Sequence, residues 1–181
     1  MTRIAMIDPA VSHPSHDLLA AVRAKLGVVP NMTRAMATSP AVLKAYLAFG
    51  EALEGGRLDK RTGELIALAV AEANGCDYCR AAHTAIGGLL KMPADDLIAA
   101  REGTHRDPRT RAIVAFARRV TEARGDVDTA NIDALRAVGL DDAEIAEIVG
   151  HVALNFFTNL FNTAMRTDLD FPAAPPLRRA A

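Results

Sequence analysis

The stretch Glu64 to His83, E-L-I-A-L-A-V-A-E-A-N-G-C-D-Y-C-R-A-A-H, holds both cysteines of the chain, with a Glu at one end and a His at the other. Its first half predicts a helix from Lys60 to Asn74, because Leu65, Ile66, Leu68, Ala69, Val70 and Ala73 are apolar and Asp59 is available as N-cap. Asn74-Gly75 then breaks that helix, since glycine readily takes the left-handed conformation that ends one. A second helix is expected from about Cys76, so the C-x-x-C sits at the N-terminus of a central helix. At about 100° per residue, Cys76, Cys79 and His83 fall within roughly 60° of arc and share one face. On one continuous helix Glu64 and Cys76 would lie about 18 Å apart. Folded back at Gly75, the first helix brings Glu64 beside the turn that carries His83.

Two thiols, an imidazole and a carboxylate around one pocket have a definite chemistry. A thiol near pKa 8.5 is mostly protonated at neutral pH, but the free N–H groups and positive end of a helix favour the nucleophilic thiolate. An imidazole can take the thiol proton, and a carboxylate can fix its tautomer. The second thiol of a C-x-x-C can resolve an oxidised first one as a disulfide. The same four side chains are also compatible with a tetrahedral zinc shell. A structural zinc usually staples smaller modules than this, which favours redox chemistry. Haem attachment is excluded, because it requires C-x-x-C-H and Arg80 follows Cys79.

The run G-C-D-Y-C-R-A-A-H with Glu64 upstream resembles the signature of the carboxymuconolactone decarboxylase superfamily, specifically its alkyl hydroperoxidase D-like branch. G-V-V-P-N-M at Gly27 to Met32, L-D-K-R-T-G-E-L at Leu58 to Leu65, and N-F-F-T-N-L-F-N with T-D-L-D-F-P near the C-terminus extend the resemblance to the peroxidase-related proteins of that branch. The resemblance implies a thiol peroxidase in which Cys79 attacks a small organic hydroperoxide, Cys76 resolves the sulfenic acid as a disulfide, and Glu64 and His83 relay protons. It also implies an external thiol reductant, a protein or a small thiol, and assembly as a homo-oligomer. The best-known peroxidase members carry His between the two cysteines, where this chain has Tyr78. Two alternatives stand beside this reading. One is a disulfide-exchange or redox-sensing protein without peroxide turnover. The other is decarboxylase or lactone chemistry, whose branch generally lacks the cysteine pair.

Composition agrees with a single domain over residues 1–181: half of the residues are hydrophobic and 24% are charged. A formal charge of −1 and no Trp give no footprint for nucleic acid or an anionic membrane. The N-terminus lacks the apolar run of a signal peptide and no later run suffices for a spanning helix, so a cytoplasmic location and no membrane partner are expected. No cofactor is expected. The pattern predicts an all-α bundle of about eight helices between an N-terminal arm (1–14) and a C-terminal arm (171–181). Asn31 is expected to cap a short helix, Ser39-Pro40 to open the next, and Asp141 with Glu144 to form a capping box. Gly87-Gly88 inside a helical pattern suggests close approach of another backbone, and Glu72 is read as solvated. Ile148 to Met165 carries no Asp, Glu, Lys or Arg, yet His151, Asn155, Asn159 and Asn162 lie within about 80° of arc. They suggest a buried hydrogen-bonding stripe facing the pocket or a neighbouring subunit, with a structural role favoured over a catalytic one.

Overall fold

The structure, a computed structural model, describes residues 1–177; the last four positions of the expected C-terminal arm lie outside them. Among the described residues the chain is all-helical, with nine helices against the eight expected: α1 His16–Leu26, α2 Asn31–Met36, α3 Pro40–Glu54, α4 Lys60–Ala73, α5 Asp77–Leu89, α6 Ala94–Arg101, α7 Pro108–Glu122, α8 Thr129–Ala137 and α9 Asp142–Met165. None of them is long and apolar enough to cross a membrane.

α4 is the axis of the bundle. The seven consecutive residues Leu65 to Ala71 are all buried, as in a helix covered on every side. Ile66 and Val70 pack with α7, α8 and α9 through Phe116, Leu135 and Ile148. Leu65 and Leu68 pack with Leu97 and Val114, and Ala71 joins α1 to α3 and the cysteines. Asp59 accepts from the Thr62 N–H at 2.7 Å to start α4.

At the other end Gly75 has φ +65°, Gly75 N–H donates to Glu72 O at 3.1 Å, and Cys76 N–H donates to Ala71 O at 2.9 Å. This doubly bonded left-handed stop turns the chain back along α4. The caps expected at Ser39 and at Asp141/Glu144 are present.

Several details differ from expectation. The N-cap of α2 is Pro30, not Asn31. The Asn31 amide is drawn instead to the Asp168 carbonyl at 3.1 Å, while the Asp170 carboxylate accepts the Asn31 N–H at 2.6 Å. So short a helix holds because Met32, Thr33, Ala35 and Met36 are buried. Gly87 makes room for a side chain, not a backbone: a Cβ there would lie 2.6 Å from Leu97 Cδ2, whereas one on Gly88 meets nothing within 4 Å. Glu72 is not solvated. It accepts from Arg80 at 2.9 Å and from Arg101 at 2.8 Å, and Arg101, only 3% exposed, requires that countercharge.

The terminal arms fold back on the bundle. Met1 and Thr2 bind Asp168, and Arg3 N–H donates to Met165 O at 2.7 Å. At the other end Phe171 meets Tyr78 edge-to-face at 5.9 Å, and Arg101 donates to Pro175 O at 2.6 Å.

Candidate active site

The α4–α5 reversal assembles the site. Cys76 is the N-cap of α5, and its Sγ accepts the Cys79 N–H at 3.4 Å, as a capping side chain does. The two sulfurs stand 3.0 Å apart as free thiols, and each residue is 2% exposed. One turn further, His83 Nδ1 lies 2.7 Å from Glu64 Oε2, with the side chains 21% and 13% exposed. The fold-back inferred from Gly75 is therefore what brings carboxylate and imidazole together.

The electrostatics follow from these contacts. The Cys79 S–H donates to Cys76, and this bond chiefly brings the Cys76 thiol down to about 7 against the burial that raises it. The Cys79 N–H, Thr163 and His83 add to the same effect. The same S–H bond, with burial, holds the proton on Cys79 and raises that thiol, while Asn162 and Asn159 pull it down. The pair thus titrates as a unit in which one proton is shared between two sulfurs. Burial works against a charged His83, but the Glu64 carboxylate outweighs it and raises the imidazole above its ordinary value.

The neutral polar stripe of α9 faces this pocket. Asn162 Nδ2 donates to Cys79 Sγ at 3.3 Å and also lies 3.1 Å from Met32 Sδ. Asn159 Oδ1 accepts from Asn74 Nδ2 at 2.9 Å. Asn162 Oδ1 and Asn159 Nδ2 are buried without a partner. The sequence indicated the face, with a structural role favoured; the structure brings Asn162 of that face into contact with the Cys79 sulfur.

Tyr78 lines the pocket, yet its hydroxyl accepts the Met32 N–H at 3.1 Å and burial raises its pKa. The residue covers the site with its phenol kept protonated. Tyr46, which the sequence did not single out, also lines the pocket, its phenol pushed up to about 12 by burial and by the nearby Cys79 and Glu64. Its only sequence signal was a lone Tyr on an apolar helix.

Cys79, Glu64, His83 and Tyr46 open on one mostly apolar cavity of about 490 Å³ between α1, α3, α4, α5 and α9. Cys76 touches Cys79 but is not among the lining residues. A shallower depression of about 540 Å³, between Arg57, Arg136 and Asp141, contains none of these groups. No three His, Cys, Asp or Glu side chains among the described residues converge closely enough to hold a metal ion.

The class defined by this geometry is an all-helical protein that presents one member of a cysteine pair to an apolar cavity beside a half-buried carboxylate–imidazole pair. Comparison with known proteins agrees. The profile of the carboxymuconolactone decarboxylase family matches residues 40–119. An uncharacterised peroxidase-related protein from Ralstonia eutropha JMP134, described as an alkylhydroperoxidase AhpD core, is 30% identical, with a TM-score of 0.83 over 93% of this chain and 92% of that one. A peroxidase-related protein from Silicibacter sp. TM1040 is 26% identical, also with a TM-score of 0.83, over 98% and 96% of the two chains. An uncharacterised protein of Haemophilus influenzae is 53% identical over 45 residues, which are 24% of this chain and 40% of that protein's length. The chain belongs to the carboxymuconolactone decarboxylase superfamily, in its alkyl hydroperoxidase D-like branch.

Proposed function

We propose that the protein is a thiol peroxidase that reduces organic hydroperoxides through a Cys76–Cys79 disulfide. The observation that carries the reading is the sulfur pair 3.0 Å apart, of which Cys79 lines the same cavity as the bonded Glu64–His83 pair.

The resting monoanion carries its charge mainly on Cys76. Passing the shared proton from Cys79 to Cys76 puts the thiolate on the sulfur that the cavity reaches, where the Asn162 N–H stabilises it. The Cys79 thiolate attacks the nearer peroxide oxygen, the O–O bond breaks, and the leaving alkoxide takes a proton from the His83 imidazolium. Cys79 is now a sulfenic acid and the product an alcohol. His83, neutral after that transfer, takes the proton that Cys76 received; the Cys76 thiolate attacks the Cys79 sulfur and forms the S–S bond, and the departing hydroxide takes that proton from His83 and leaves as water. Two electrons from an external dithiol restore the pair. Glu64 holds the His83 Nδ1–H, which leaves Nε2 free to move protons. With both cysteines 2% exposed, a small dithiol entering the cavity is a better reductant than a folded protein partner.

The exposed apolar residues Val149, Phe157 and Leu160 of α9, at 44%, 38% and 57%, support assembly of several copies. Sedimentation of dilute protein tests that assembly.

The function is tested by a reductant-coupled assay with cumene hydroperoxide on wild type, Cys79→Ser and Cys76→Ser, with thiol counting and zinc analysis of the same samples. Turnover lost in both variants, two thiols consumed per oxidised chain, and a dimedone-reactive Cys79 in Cys76→Ser are expected. A disulfide that forms and reduces without peroxide turnover would favour exchange or sensing, and stoichiometric zinc would make the pocket a metal site.

A further inference from the structure

The cavity is longer than the peroxide chemistry requires. Cys79 Sγ is touched by Asn162, and His151, which also lines the cavity, lies eleven residues earlier on α9, roughly 16 Å away along the helix. Between them Asn155 and Thr158 line the same wall, and across from it α5 contributes Ile86 and Leu89 beyond His83. The trough therefore runs from the sulfur past the Glu64–His83 pair to the N-terminal end of α4.

His151 is built in at that far end. Gly63 makes room for it: a Cβ there would lie 3.1 Å from the imidazole Cε1. Its Nε2 is buried and has no hydrogen-bond partner, a condition that costs about 1–3 kcal/mol. Burial lowers its pKa, opposed by the carboxylates of Glu147 and Glu64, so the ring is neutral at pH 7. A neutral ring beside two carboxylates disfavours an anionic guest. Apart from the Glu64–His83 pair, the charged lining residues, Lys25, Glu51, Glu54, Asp59 and Lys60, are exposed at the rim.

We infer that the cavity takes an elongated organic molecule whose reactive end meets Cys79 and whose far end carries an uncharged hydrogen-bonding group, a hydroxyl or carbonyl, paired with His151. The pairing requires the imidazole to turn about Cβ–Cγ, because Nε2 is buried in this structure. Allowing about 3 Å for the hydrogen bond and about 3.5 Å for approach to the sulfur leaves an apolar body of roughly 10 Å. Only the orientation, reactive end toward Cys79, rests on the proposed peroxidase function.

The test uses two unreactive guests of eight carbons, 1-octanol and ethylbenzene, with calorimetric titration of wild type, His151→Leu and His151→Gln and with the imidazole ¹⁵N resonances of wild type. 1-Octanol should shift the His151 Nε2 resonance. His151→Leu should bind it about 3- to 10-fold more weakly, the worth of one neutral hydrogen bond. His151→Gln should retain most of the affinity, and ethylbenzene should bind wild type and His151→Leu within about twofold of each other. An unmoved resonance, unchanged octanol affinity in His151→Leu, equal loss of both guests, or no binding by wild type would each overturn the inference. Because neither guest is a peroxide, octanol binding through His151 without hydroperoxide turnover would remove the peroxidase reading alone.

Discussion

Replacing Asn162 with Leu should separate activity from stability. The amide donates to Cys79 Sγ at 3.3 Å in a site where both residues are at most 3% exposed. A hydrogen bond to a charged acceptor is worth about 1.5–3 kcal/mol, against about 0.5–1.5 for a neutral one. The resting Cys79 is protonated, so the ground state loses only the smaller amount. The attacking thiolate loses the larger, and oxidation should slow about 10-fold, up to about 100-fold if Asn159 cannot compensate. Stability moves the other way, because the same substitution deletes Asn162 Oδ1, buried without a partner and costing about 1–3 kcal/mol. The variant should melt at or above the wild-type temperature. Stopped-flow oxidation of the reduced protein by excess cumene hydroperoxide, beside thermal unfolding, reads both. An unchanged rate constant in a folded variant would refute a role for Asn162 in holding the Cys79 thiolate.

The oxidation rate of wild type should rise as the Cys76 thiol ionises, at about 7, and fall as His83, raised above its ordinary value by Glu64, loses its proton; both limbs are read in single-turnover pH profiles. Glu64→Gln should lower the His83 pKa and move the declining limb to lower pH. The Glu64–His83 pair stabilises the fold fully below the ordinary histidine pKa of about 6.5, and its contribution disappears as pH rises through the raised value in the folded protein. Wild type and Glu64→Gln should therefore differ most in urea midpoint on the acid side and converge above that pKa; a constant gap would refute the linkage. The adjacent glycines of α5 should respond oppositely to alanine. Gly88→Ala, with nothing within 4 Å, should gain about 0.5–1 kcal/mol in denaturant titration. Gly87→Ala, forced to within 2.6 Å of Leu97 Cδ2, should lose about 1–2 kcal/mol from overpacking.

What could be read from the sequence was whatever short-range geometry controls. The Glu64–His83 contact spans 19 residues, and helix period with one left-handed glycine suffices to form it. The position of Cys76 as N-cap follows from the same stop. The Asn162–Cys79 contact spans 83 residues. Periodicity gave the face that Asn162 occupies, but which neighbour that face meets depends on how α9 crosses α5. The environment of Tyr78 is non-local in the same way, since its hydroxyl accepts the Met32 N–H, 46 residues upstream. Glu72 looked solvated because its partner Arg101, 29 residues later, gives no local sign of being buried.

That division has a consequence for how the site can be altered. The sulfurs, the imidazole and the carboxylate all belong to one helical hairpin, and their mutual geometry is fixed by Gly75 and the packing of α4 on α5. The cavity they face is completed by α1, α3 and α9, whose residues approach from distant parts of the chain. A substitution at Leu47, Leu154 or His151 therefore changes what fits against Cys79 without moving the groups that act on it. A substitution at Gly75 does the reverse: φ +65° there is strained for any residue with a Cβ, and relaxing it would rotate α5 and separate His83 from Glu64. On the proposed function, selectivity and reactivity are thus governed largely by different parts of the fold, and Asn162 of α9, which touches the Cys79 sulfur, is where the two meet.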